Sequence, residues 1–113
     1  MTAAPDSAHT CCTPAADAPQ PAAGAGAPAL TSQFAAYVGA TLKPCAVDVV
    51  AKELIAVALS LGVHCEPCSR AHIRKALGMG IGWAELEEVA AIALAFGGCR
   101  SMVLWQTLRK ELA

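Results

Sequence analysis

The chain has 113 residues, room for one domain, with only 15% charged residues and a net charge of −1. That balance gives no electrostatic basis for holding nucleic acid or an anionic membrane surface, and no apolar run reaches the roughly 18 residues that a bilayer span needs. Hydrophobic residues make up 56% but aromatics only 4%, so a core has to be built from Ala, Leu, Val and Ile.

Residues 1–29 are rich in Ala, Pro, Gly and Asp. Pro14, Pro19, Pro21 and Pro28 forbid a continuous helix there, and large apolar groups are missing, so a disordered tail is expected. The folded domain is expected over 30–113. Its first helix is predicted near 31–40, capped by Thr31 or Ser32, with Phe34, Tyr37 and Val38 facing inward. Leu42-Lys43-Pro44 breaks it. A second helix is predicted over about 46–61, with Asp48 and Lys52 as an i,i+4 pair, and Gly62 ends it. A third runs from near Cys65 to about Leu77, stopped by Gly78, Gly80 and Gly82. A fourth spans about 83–96, and its stretch Val89–Phe96 is apolar all round, which argues full burial. Gly97-Gly98 breaks it, and a fifth helix covers 99 to about 112. No segment alternates with a period of two, so the domain is expected to be all-α, a compact bundle of about five helices. A wholly apolar helix in so small a unit needs another surface to cover it, and a homo-oligomer is expected.

The chemistry gathers in His64-Cys65-Glu66-Pro67-Cys68-Ser69-Arg70-Ala71-His72, with Glu53 twelve residues before Cys65. Cys68 and His72 are four apart and share one helix face. A thiol beside a base can become a thiolate, the reactive form, and a second thiol at C-x-x-C spacing can close a disulfide onto it. If the second and third helices form an antiparallel hairpin about Gly62-Val63, Glu53 and His72 each lie nine residues from the turn. At 1.5 Å per residue that is roughly 13 Å for both, so they stand level across the hairpin. A carboxylate on one imidazole nitrogen fixes the tautomer and makes the other a better base. The expected relay is Glu53 to His72 to Cys68. Cys65 falls at a helix start, where unpaired N–H groups and the dipole favour a thiolate; Cys68 is nearer the base. Spacing leaves open which sulfur attacks first.

Other residues have plainer readings. His64 reads as a turn residue, Glu66 as a first-turn charge, and Ser60 as a small packing residue. Cys45 and Cys99 read as small buried hydrophobes, Cys11-Cys12 as incidental thiols in the tail. Trp83 and Trp105 read as core or interface anchors. The N-terminus lacks a basic segment and an apolar stretch of the secretory kind, so the six cysteines are expected mostly as reduced thiols of a cytoplasmic protein.

Lys52-Glu53-Leu54-Ile55-Ala56-Val57-Ala58, then Cys65-Glu66-Pro67-Cys68, His72 and Ala76-Leu77-Gly78 resemble the carboxymuconolactone decarboxylase-like superfamily, and within it the alkylhydroperoxidase D-like branch. The branch pattern is Glu, eleven residues, Cys-x-x-Cys, three residues, His, matched here by Glu53, Cys65, Cys68 and His72. The similarity extends over about 34–112. It implies an all-helical fold assembled as trimers or hexamers, and a thiol peroxidase or disulfide reductase needing no cofactor and no metal. It implies that Cys68 attacks the hydroperoxide, that Cys65 is proton donor and resolving thiol, and that Glu53 and His72 form the proton relay. A Cys65–Cys68 disulfide would then be reduced by a dithiol protein or small thiol. Where the best-known member has a histidine before the second cysteine, this chain has Pro67. The lactone decarboxylases proper lack the C-x-x-C.

Three functions follow as expectations. The first is a cysteine-based hydroperoxide reductase, an antioxidant enzyme. The second is a thiol–disulfide oxidoreductase with little peroxidase activity. The third is a non-enzymatic metal- or metalloid-binding protein using Cys65, Cys68 and His72.

Overall fold

A computed structural model of the chain describes residues 27–113, with side chains from residue 29 onward. Most of the expected tail, Cys11 and Cys12 included, lies outside the described residues. These divide into two units, one ending at Val49 and one running from Val50 to Ala113. Five helices and no strand make them up: α1 Ala27–Thr41, α2 Val49–Gly62, α3 Glu66–Gly78, α4 Trp83–Gly97 and α5 Cys99–Leu112. The described residues are all-α, as the lack of any two-residue alternation predicts.

The first unit departs most from expectation. Its helix starts at Ala27, so Thr31 and Ser32 lie inside it rather than capping it. Pro28 falls in the first turn, where its missing N–H breaks no helical bond. Phe34 and Tyr37, expected inward, are exposed, and Val38 is half-buried. The reason is local: among the described residues this unit has no second element on which α1 could bury a face. The second helix begins at Val49 rather than near Ala46. Asp48 therefore stands just before it, where a negative charge suits the N-terminus.

The second unit is built from two helical hairpins. In the first, the chain reverses at Val63-His64 and lays α3 alongside α2, with residue 53 opposite residue 72. In the second it reverses at Gly98, so that Glu87 on α4 reaches Trp105 and Arg109 on α5. Both hairpins share a core: Val57 and Leu61 from α2, Ile73 and Ala76 from α3, Leu86, Ala90 and Ala93 from α4, Trp105 and Leu108 from α5. Each fully buried Leu or Ile contributes about 1.5–3 kcal/mol relative to exposure. Trp83 packs at the edge, its ring 6.2 Å from that of Trp105. The two tryptophans thus act as core anchors.

Two glycines make the second turn possible. Gly98 sits at φ 72°, in the region that side chains other than glycine enter at a cost. A Cβ on Gly97 would collide with the Ser101 hydroxyl and come within 3.2 Å of the Gly62 Cα. The α4–α5 turn is therefore pressed against the C-terminal end of α2. There Ser101 Oγ–H donates to the Leu61 carbonyl at 2.8 Å.

Within one chain α4 is buried on one face only. Leu86, Ala90 and Ala93 are buried, but Ile92 is exposed and Phe96 is 89% exposed. Among the described residues, one chain covers only the face of α4 that meets its neighbours, and Ile92 and Phe96 point away from it. Ile55 and Leu59 leave a similar exposed apolar row on α2. No helix among the described residues is long and apolar enough to cross a membrane.

Candidate functional site

The site stands on the α2–α3 hairpin, and its backbone is fixed before its side chains are considered. Cys65 is the N-cap residue of α3, in an extended conformation. Its N–H donates to the Ser60 carbonyl at 3.0 Å and its carbonyl accepts from Ser69 N–H at 2.9 Å. Pro67 lies in the first turn of α3, where no hydrogen bond is lost. Cys65 and Cys68 have Cα atoms 5.3 Å apart and are joined as a disulfide, a separation natural to such a bridge. Cys65 is half-buried and Cys68 is exposed.

One turn beyond Cys68, His72 meets Glu53. The Nδ1–H of His72 donates to Glu53 Oε1 at 2.7 Å across the hairpin. The carboxylate only accepts, so Nδ1 carries the donated proton, and Nε2 lies on the far edge of the ring. Glu53 is only 1% exposed, whereas the His72 side chain is 21% exposed. Buried carboxylates need partners for both oxygens. The second oxygen of Glu53 accepts from Lys75 Nζ at 2.8 Å. Cys68, His72 and Lys75 are spaced by four and three residues and form one row along α3.

His64 adds a clamp. Its backbone takes φ 60°, an uncommon conformation that His adopts more readily than most side chains. Its Nε2–H donates to the Gly97 carbonyl at 3.1 Å. The residue preceding the disulfide is thereby tied to the α4–α5 turn. Glu66 is a first-turn charge that accepts from Arg70 at 2.9 Å, and Arg70 also pairs with Glu111 of α5 at 2.6 Å. The hydrogen bonds it donates to Glu66, then Glu111, raise the pKa of the Arg70 guanidinium above its ordinary value. Ser60 is buried, its hydroxyl on the Val57 carbonyl at 2.9 Å.

Two cysteines lie differently from expectation. Cys99 is an exposed free thiol at the first residue of α5, and Cys45 is half-buried. Ser101 is the residue of this turn that enters the core, whereas Cys99 and its neighbours Gly98 and Arg100 are exposed. Among the described residues, no group of three or more His, Cys, Asp or Glu side chains is arranged to hold a metal ion.

Spacing alone left Lys75 and the His64–Gly97 contact unseen. A lysine three residues after His72 looks like an ordinary solvated helix residue. The signal that could have found it is the second oxygen of a carboxylate already turned inward. The His64 contact spans 33 residues of sequence and carries no local signature.

An all-helical chain with a C-x-x-C at a helix start and a carboxylate–imidazole pair beside it defines a class of helical thiol proteins. The model of the carboxymuconolactone decarboxylase family matches residues 28–109. The chain belongs to that family, and its alkylhydroperoxidase D-like pattern is consistent with membership. The crystal structure of apo-lpg0406, a carboxymuconolactone decarboxylase family protein from Legionella pneumophila, is similar to it. The likeness has a TM-score of 0.65 and 31% identity, covering 73% of this chain and 74% of that one. No curated protein matches the chain.

Proposed function

We propose that the protein is a cysteine-based hydroperoxide reductase, an oxidoreductase that cycles between the Cys65–Cys68 dithiol and its disulfide. The observation that carries the reading is the 2.7 Å contact between His72 Nδ1 and the buried Glu53 carboxylate, one turn from Cys68. Glu53 orients the imidazole, and Nε2 accepts the Cys68 proton. The thiolate attacks one oxygen of the hydroperoxide; an S–O bond forms, the O–O bond breaks, and the alcohol leaves with a proton. The Cys65 sulfur then displaces water from the Cys68 sulfenic acid and closes the disulfide. A dithiol protein or small thiol returns two electrons and two protons, which suits a compartment that keeps thiols reduced, such as the cytoplasm. A trimer or hexamer of this chain would cover Ile55, Leu59, Ile92 and Phe96.

A second reading rests on the exposure of Cys68. An exposed sulfur in a disulfide is open to attack by a partner's thiolate, as in thiol–disulfide exchange. Stopped-flow measurement of thiol loss with hydrogen peroxide and an organic hydroperoxide separates the two. Two thiols per chain are expected to disappear in wild type, with turnover abolished in Cys68→Ser. Thiols inert to both peroxides but exchanging with a model disulfide would replace the first reading by the second.

A further inference from the structure

We propose that Lys75 is a positioning residue for the relay: its ammonium neutralises the buried Glu53 carboxylate, so that His72 remains an uncharged base. The inference rests on the relay reading for its chemical meaning, but it can be measured without turnover.

The two oxygens of Glu53 are divided between two donors, His72 Nδ1 at 2.7 Å and Lys75 Nζ at 2.8 Å. The carboxylate is 1% exposed and the Lys75 side chain 47%. Lys75 therefore reaches from the wet rim of the hairpin to a charge that has almost no water of its own. A carboxylate in that position demands a cation, and two groups can supply one. If Lys75 does, the imidazole keeps a lone pair on Nε2 and can take a proton from a thiol. If Lys75 is removed, the nearest remaining way to balance Glu53 is to protonate His72. An imidazolium has no lone pair and accepts nothing. The ammonium thus competes with the imidazole for the role of counter-cation to Glu53.

The charged neighbours support this division. Glu53 approaches the ring from α2, and Lys75 meets the same carboxylate from the ring's own helix. Arg70, another cation of α3, is engaged by Glu66 and by Glu111 of α5. Cys68, one turn back, gives up its proton in the proposed step. A neighbouring anion stabilises the imidazolium and a neighbouring cation opposes it. Loss of Lys75 therefore moves the protonation of His72 to higher pH.

The test compares Lys75→Met and Lys75→Arg with wild type in the reduced full chain, folding being checked by circular dichroism. NMR follows the His72 ring proton against pH, and stopped flow follows thiol oxidation by hydrogen peroxide over the same range. In Lys75→Met the His72 midpoint and the acid limb of the rate profile are both expected to rise by about one pH unit, with about tenfold slower oxidation below the new midpoint. Lys75→Arg is expected to restore both. An unchanged His72 midpoint in folded Lys75→Met would overturn the proposal, as would a shift of equal size in Lys75→Arg. If the NMR midpoint moves while the rate profile does not, the Lys75 inference stands and the relay reading fails. Should Lys75→Met not fold, Lys75→Gln carries the same readouts.

Discussion

Two carboxylates in the second unit are wired alike and placed differently. Glu53 divides its oxygens between an aromatic N–H, from His72, and a cation, Lys75. Glu87 does the same with the Trp105 indole N–H at 3.1 Å and Arg109 Nε at 2.8 Å. Yet Glu53 is 1% exposed and Glu87 is 48% exposed. Arg109 moreover lies over the Trp83 ring, 4.1 Å from its centroid, so it keeps an anchor without Glu87. The difference teaches that the list of partners does not set the importance of a charge. Burial removes the water that could replace a lost partner. The identity of the ring matters as well: an imidazole can pass on a proton from its far edge, and an indole cannot.

Substitution at each carboxylate should have unequal effects. The largest effect is expected at Glu53. Glu53→Gln leaves the His72 and Lys75 donors facing a neutral amide in a buried place. It should lower stability by about 2–3 kcal/mol in urea unfolding and slow peroxide-driven thiol oxidation at least about tenfold. A stability loss below about 0.5 kcal/mol would show that burial does not separate the two sites. Glu87→Gln should cost less than about 1 kcal/mol in the same unfolding measurement and leave thiol oxidation unchanged. A cost equal to that of Glu53→Gln would remove the contrast.

Much of this was legible in the sequence, and the reasons differ by region. Glycine and proline punctuate the second unit sharply, so α3 and α5 fall within a residue of the expected bounds. The equal distances of Glu53 and His72 from the turn were enough to foresee their meeting, because a helical hairpin converts residue number into height. What was not legible depends on tertiary surroundings. Phe34, Tyr37 and Phe96 carry the apolar character of core residues, but exposure is decided by what else is present to cover them. The same holds for Cys99, whose place in a turn outweighs the usual tendency of cysteine toward burial. The Gly97 close approach and the His64 clamp join segments distant in sequence, and no pattern within either segment announces them.

The most direct test of the central claim is to trap the oxidised sulfur. Reduced Cys65→Ser protein is treated with one equivalent of hydrogen peroxide and a sulfenic-acid reagent such as dimedone, and the adduct is mapped by mass spectrometry. The adduct is expected on Cys68, formed at least about tenfold more slowly when His72→Gln is added. An adduct confined to the exposed Cys99, or one on Cys68 that forms equally fast without the imidazole, would contradict it.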